Sequence, residues 1–202
     1  MKLSRDFYNR DTLIVAEELL GKILVVNKDN KICKGKIVEV EAYMGFMDKA
    51  AHSYNNRRTK RTEVMYGKPG FSYVYFIYGL YYCMNVVTRE EGVPQAVLIR
   101  AVEPLEDIEV MSFRRFKKGY DNLSNREKIN ITNGPSKLCM AMGIDKDLNS
   151  LDLLEDDIFI EEDIKENFEI STSKRIGIDY AEEAKDYPWR FYIKGNKYVS
   201  KK

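Results

Sequence analysis

The feature that most restricts what this chain can become is a series of short apolar segments alternating every second residue, joined by connections that leave room only for antiparallel pairing. Ser72 to Tyr78, Tyr81 to Thr88 and Ala96 to Val102 are such segments, with Gly79-Leu80 and Arg89 to Pro94 between them, whereas a parallel pair needs a crossover of about a dozen residues or more. Upstream, Lys22 to Val26 and Gly35 to Met44 read as a hairpin around Asn27-Lys28-Asp29-Asn30, a string of turn-forming residues. A helix precedes them, with Asp11 as its N-cap, Leu13, Ala16, Leu19 and Leu20 at helical spacing, and Gly21 as its stop. Pro104 suits the first turn of a second helix, in which Ile108, Met111 and Arg115 share one side up to about Lys117. After a polar segment from Lys118 to Asn130, Gly134-Pro135-Ser136-Lys137 opens a helix carrying Leu138, Cys139, Met140 and Met142 and closing at Gly143. Short strands near Ile158 to Ile160 and Arg190 to Ile193 follow. This order predicts an α+β fold, one domain over residues 1–202 with a mainly antiparallel, curved sheet flanked by helices.

The chain has 202 residues, 44% of them hydrophobic, ample for one core. No apolar run approaches the roughly 20 residues of a spanning helix, and the first residues lack the apolar stretch of a secretory signal. A soluble, cytoplasmic protein with no membrane partner is expected. Cys33, Cys83 and Cys139 are widely spaced and odd in number, which reads as packing rather than disulfides or zinc. His52 is the sole histidine, so a zinc site of two or three imidazoles is excluded and any serine triad would have to pass through it. Neither common phosphate-loop string occurs. No metal and no cofactor are expected; carboxylates and tyrosines are left to do the chemistry.

The net charge of +1 conceals an asymmetry: residues 1–100 hold 16 lysines and arginines against 11 acids, whereas residues 101–202 hold 17 against 21. Residues 49–68 carry Lys49, Arg57, Arg58, Lys60, Arg61 and Lys68 against Glu63 alone. Such a loop is either a polyanion contact or a solvated excursion. It falls inside residues 45–70, a long stretch without sustained periodicity, and structureless loops of that length are usually functional.

Three further patterns bear on chemistry. Alternation along Gly35 to Met44 puts Val38, Val40 and Ala42 on one face and Ile37, Glu39, Glu41 and Tyr43 on the other, so the carboxylates face either solvent or a cleft. Tyr66, Tyr73, Tyr75, Tyr78, Tyr81 and Tyr82 place six of the 14 tyrosines within 17 residues, a composition suited to stacking on nucleobases but also found in ordinary sheets. Arg100 interrupts an apolar strand and needs a partner, either Glu39, Glu41 or Glu103, or a phosphate.

The strings Gly35-Lys-Ile-Val-Glu-Val-Glu-Ala-Tyr43, Ala51-His-Ser53, Lys68-Pro-Gly70, Tyr73-Val-Tyr-Phe-Ile-Tyr-Gly79, Tyr82-Cys-Met-Asn85, Leu98-Ile-Arg-Ala-Val-Glu-Pro104, Gly134-Pro-Ser-Lys-Leu-Cys139 and Arg190-Phe-Tyr-Ile-Lys-Gly195 occur here in order. In that order they resemble the alkyladenine (3-methyladenine) DNA glycosylase family of the mammalian type, from about Leu3 to Ser200. The resemblance implies a monofunctional, cofactor-free base-excision enzyme whose partner is double-stranded DNA containing damaged purines, acting as a monomer. By it, Glu41 is similar to the general base that activates water, and Arg100 to a polar contact at the phosphate and that water. Tyr43, His52 and Tyr75 resemble the walls around the flipped base, and Asn85 the residue that disfavours the guanine amino group. Tyr78 is similar to the side chain inserted into the vacated gap. Arg57, Thr59, Arg61 and Met65 match positions near DNA, and Lys137 at a helix start is a candidate phosphate contact. Tyr54-Asn55-Asn56 and Phe71-Ser72 depart from the family pattern.

Two rivals remain on the residues alone. A catalytically silent module could bind distorted or single-stranded nucleic acid through the same tyrosines and basic loop, but has no use for a carboxylate facing a polyanion. A hydrolase of small glycosides could use Glu39 with Glu41, but neighbours two apart on a strand lie on one side of a bond rather than flanking it.

Overall fold

The computed structural model describes residues 1–163 and 167–201. Among these, eight strands form one antiparallel sheet: β1 (Ile23–Lys28), β2 (Lys31–Tyr43), β3 (Ser72–Ile77), β4 (Tyr81–Thr88), β5 (Gln95–Glu106), β6 (Ile158–Glu161), β7 (Ile170–Ser173) and β8 (Arg190–Ile193). The order is β3-β4-β5-β2-β1-β6. Strand β2 is longer than its partners and changes neighbour along one edge, pairing with β1 up to Lys36 and with β8 over Glu39–Glu41. Bulges against β5 around Ile37, Glu39 and Val40 accompany that change and bend the strand, which helps the sheet to curl. The β1–β2 turn is Asp29-Asn30, both at positive φ, as a two-residue hairpin of right-handed twist demands.

The α-helices among the described residues are α1 (Arg5–Tyr8), α2 (Thr12–Leu19), α3 (Ile108–Phe116), α4 (Asn125–Ile129) and α5 (Pro135–Met142), with short 3-10 turns between elements. Asp11 caps α2 as expected, accepting from the Leu13 and Ile14 amides at 3.0 and 3.4 Å. The core lies between helices and sheet: Val15, Ala16 and Leu19 of α2 and Leu138, Ala141 and Met142 of α5 meet Val38, Val40, Ala42, Val74, Met84, Val86, Val97 and Ile99. Each large aliphatic side chain buried there contributes roughly 1.5–3 kcal/mol over exposure.

Alternation then decides the opposite face. If Val97, Ile99 and Ala101 face the helices, Ala96, Leu98 and Arg100 must face away, and the same rule turns Tyr73, Tyr75, Cys83, Asn85, Glu39, Glu41 and Tyr43 to that side.

Two local expectations are corrected. Pro104 lies in β5, opposite Gly35 at a register shift, not in a helix. There β5 has outrun β4, which pairs only with Gln95–Leu98, so the missing N–H costs little. The helix waits for Asp107, whose φ of 58° breaks the strand. The polar segment 118–130 is not merely a connection, because Ser124 and Glu127 form a reciprocal cap that starts α4.

Candidate active site

The second face of the sheet is the floor of a cleft of about 350 Å³, within the range of small-ligand sites. Residues 45–70, entered through the helical turn Gly45–Met47, supply one wall with His52 and Met65; the segment Ile176–Ile178 and the start of α5 at Ser136 supply others. Strands β2 and β3 are three ladders apart, which in a flat sheet at about 4.8 Å per strand would be roughly 14 Å. Curling brings Tyr43 and Tyr75 to the lining of one cleft.

Glu39 and Glu41 are both fully buried, so the polar face is neither solvent-exposed nor apolar: it is a paired charge cluster. Arg100 Nε donates to Glu39 Oε1 at 2.9 Å and its Nη1 lies 3.3 Å from Glu41 Oε1. The Ile176 amide donates to Glu41 Oε1 at 2.7 Å, and the Tyr43 hydroxyl to Oε2 at 2.9 Å. Glu39 has more company: Arg190 Nε and Ser200 Oγ both reach Oε1 at 2.8 Å, and the Ser200 amide reaches Oε2 at 2.6 Å. Burial alone would raise the Glu39 carboxyl, but Arg100, the Ser200 amide and Arg190 hold it below the usual carboxylate range. A carboxylate offers about four acceptor sites. Among the described residues Glu39 takes four donors, three on Oε1 and one on Oε2; Glu41 takes one hydrogen bond on each oxygen and the edge of Arg100, leaving it more acceptor capacity beside Arg100 and Tyr43, which themselves line the cleft.

The aromatic residues form two surfaces. His52 and Tyr75 meet edge to face with centroids 4.7 Å apart, and His52 Nδ1 shares a 2.8 Å hydrogen bond with the Tyr73 hydroxyl, so those three make one continuous wall. Tyr43 stands on β2. Burial, with Arg61 and Arg57 nearby, pushes the His52 imidazole down to about 4, which keeps it neutral near pH 7. Burial likewise raises Tyr43 and Tyr75 above the usual phenol range and Tyr73 up to about 12. Asn85 is buried in the floor, donating to the Tyr73 carbonyl at 3.1 Å. Met65, also buried, fills the wall beneath Tyr73.

On the rim, Arg61 stacks over the Tyr75 ring at 4.8 Å. Thr59 and Thr62 exchange hydrogen bonds that shape the turn between Arg57 and Arg61. The basic loop is partly neutralised: Lys49 pairs with Glu182 and Glu183, and Arg58 with Glu63. Among the described residues Arg57, Lys60 and Arg61 have no carboxylate partner. Tyr78 occupies the β3–β4 turn at a φ of 51°, next to Gly79 at 66°, and is 87% exposed. A bulky residue in the left-handed region is strained, and here the strain presents a ring at the mouth of the cleft. Lys137 stands apart, its ammonium held by Asn130 and Asn133 at 2.7 and 2.9 Å.

Sequence reasoning missed the pair Asp48 and Arg175. Both are fully buried, joined by two bonds of 2.5 and 2.8 Å, and the Arg175 guanidinium lies 4.8 Å from the Tyr43 ring and 5.0 Å from that of Trp189. Asp48 also accepts from the Met44 and Ala50 amides, so the pair ties the end of β2, the loop that leads to His52, and the segment that reaches Glu41. No local signal marks it. Arg190 opens the apolar strand β8 with its side chain buried. No group of three or more histidine, cysteine or acidic side chains is arranged to hold a metal among the described residues, and no described helix is long and apolar enough to cross a membrane.

A cleft lined by aromatic rings, with a buried carboxylate below and, among the described residues, cations without carboxylate partners on its rim, suits an enzyme that acts on a planar base carried by a polyanion. Residues 6–197 match the family model described as methylpurine-DNA glycosylase. Proteins named "Putative 3-methyladenine DNA glycosylase" are similar over nearly their whole length: one from Clostridium acetobutylicum is 63% identical over 200 residues, covering 99% of this chain and 98% of that protein. One from Desulfitobacterium hafniense is 59% identical, covering 100% and 99%; one from Clostridium perfringens is 59% identical, covering all of both. The chain belongs to the methylpurine-DNA glycosylase family and is thus a DNA glycosylase, a hydrolase.

Proposed function

We propose that the protein extrudes an alkylated purine, 3-methyladenine foremost, from duplex DNA and hydrolyses its N-glycosidic bond with water activated by Glu41. The observation that carries this reading is the contrast between two buried carboxylates on one strand, Glu39 held by four donors, two of them guanidiniums, and Glu41 by two hydrogen bonds and one guanidinium edge, with acceptor capacity left beside the cleft. Water bound at that site attacks the sugar C1′ as the bond to the purine nitrogen breaks, and Glu41 takes the proton. A purine alkylated on a ring nitrogen carries positive charge and departs neutral, so the leaving group needs no acid. The faces of Tyr43 and Tyr75 attract that cation before the bond breaks. The ionised Glu41 also stabilises the positive charge developing at the sugar, while Arg100 holds the water and the phosphate of the extruded nucleotide.

Duplex geometry requires the base to leave the stack, at a cost of a few kcal/mol. Stacking within the cleft and insertion of Tyr78 into the gap offset it. Arg57 and Arg61 hold flanking phosphates, with Thr59 shaping their loop. A silent binding module is disfavoured by Glu41, which such a module would keep buried beneath a polyanion to no purpose.

The test is incubation with duplexes containing one 3-methyladenine, hypoxanthine, ethenoadenine or undamaged purine, in EDTA, scoring abasic sites. Release of 3-methyladenine but not of normal purines supports the reading. Binding without release of any base overturns it, and activity lost in EDTA but restored by a divalent metal overturns the metal-free route.

A further inference from the structure

We propose that Glu39 and Ser200 are positioning residues that aim Arg100 and thereby keep an acceptor site of Glu41 open; this rests on the glycosylase reading above. The Arg100 guanidinium is held on three sides. Its Nε donates to Glu39 Oε1 at 2.9 Å, its Nη2 approaches Ser200 Oγ at 3.5 Å, and its Nη1 is left to Glu41 at 3.3 Å. Ser200 in turn grips Glu39 twice, through its amide and its hydroxyl. Arg190 supplies a second cation to Glu39 and is anchored by the Ser173 hydroxyl and the Lys201 carbonyl. Two guanidiniums therefore balance two carboxylates in a fully buried cluster, but unequally: Glu39 receives both, Glu41 only one edge of one.

That inequality is the functional content. A guanidinium freed from Glu39 would turn toward the remaining carboxylate, because a two-point contact between the two flat groups is stronger than the single edge contact seen here. Such a contact would occupy the acceptor site on Glu41 that water needs and would take Arg100 away from the cleft. Glu39 prevents it by saturating Nε, and Ser200 prevents it by fixing Glu39. The segment Tyr198–Ser200, which is not part of the cleft lining, is thus part of the machinery without touching substrate.

The experiment compares the parent with Glu39→Gln, Glu39→Asp and Ser200→Ala. Two quantities are read for each: the single-turnover rate of base release from the lesion duplex the parent cleaves fastest, and the affinity for the same duplex carrying a 2′-fluoro sugar that slows hydrolysis. A misplacement of about 1 Å at a reacting group lowers rates by as much as ~10²-fold. Glu39→Gln is expected to lose rate on that order with affinity changed less than about threefold. Ser200→Ala should lose roughly three- to tenfold, and Glu39→Asp, which keeps the charge but shortens its reach, should recover part of the loss. Rates within about twofold of the parent in every folded variant overturn the proposal, leaving the cluster a structural one. Equal losses of rate and affinity also overturn it, since Glu39 would then shape the DNA surface instead. If Glu39→Gln does not fold, Ser200→Ala decides by the same criteria, because it removes one hydroxyl and keeps the amide. A parent that releases no base overturns the glycosylase reading and this proposal with it; an active parent with unaffected variants overturns this proposal alone.

Discussion

The Tyr43 hydroxyl donates to Glu41 Oε2 at 2.9 Å, so one wall of the cleft and the buried carboxylate are a single bonded unit two residues apart on β2. Tyr43→Phe separates the two roles, because the ring stays and the donor goes. A hydrogen bond to a charged group is worth about 1.5–3 kcal/mol, so excision is expected to slow roughly tenfold or more while lesion affinity holds. Single-turnover rates and equilibrium binding check this; lost affinity at an unchanged rate would show that the hydroxyl serves binding alone.

Glu41→Gln should abolish most base release, by roughly 10²–10⁴-fold, and keep lesion-DNA binding. The loss must exceed that in Glu39→Gln. The reverse order, measured in the same assay, would mean that the wrong carboxylate has been chosen.

His52 is the chain's only histidine, so its imidazole proton signal in an NMR titration is unambiguous. Burial first, and then Arg61 and Arg57, move it from 6.5 to about 4, and its titration midpoint is expected there. The folded state resists protonation that the unfolded chain accepts. Stability therefore declines as pH falls from about 6.5 towards 4, and the contribution is fully present above 6.5. A midpoint near 6.5 would mean that the wall of His52, Tyr73 and Tyr75 is open to solvent.

Because Arg57 and Arg61 have no carboxylate partners among the described residues, replacing both with alanine should flatten the dependence of log affinity on log salt by about 1–2, each phosphate contact contributing about 0.9. Arg58→Ala should change it less, since that side chain is already paired with Glu63. An unchanged slope in the double variant would place the DNA elsewhere.

Tyr78→Ala should impair excision of hypoxanthine opposite cytosine, with which it pairs stably, more than opposite thymine, because the plug matters most where unstacking is costly. Tyr75→Ala should impair both alike. A fluorescent base analogue reports extrusion in each case, and equal losses with extrusion intact would reduce Tyr78 to a turn residue.

The alternation of β2 through β5 was legible because a period of two is a local property: it separates Val38, Val40 and Ala42 from Glu39, Glu41 and Tyr43 without reference to anything else. What covers each face was not. The partners of Glu39 are Arg100, Arg190 and Ser200, 61 to 161 positions away, and no window of sequence contains them together. Asp48 and Arg175 are farther from any pattern, being 127 apart in loops. Pro104 misled for a different reason, since its local preference for a helix start lost to a ladder with Gly35 that exists only once β2 and β5 meet. Strand β7, Ile170–Ser173, holds two serines and a threonine and is recruited by β8 rather than by its own alternation.

The two-sidedness of β2 also bears on how such a chain can vary over time. Substitutions between Ile37 and Tyr43 can alter the core side or the cleft side one position at a time. Adding or deleting a single residue there would exchange the sides wholesale, driving two carboxylates against the α2 aliphatic side chains and setting valines where the chemistry is done. Drift in residue identity along this segment is thus tolerable in places, whereas drift in its length would forfeit folding and catalysis together, and homologous chains are expected to hold the spacing fixed even where they differ in letters.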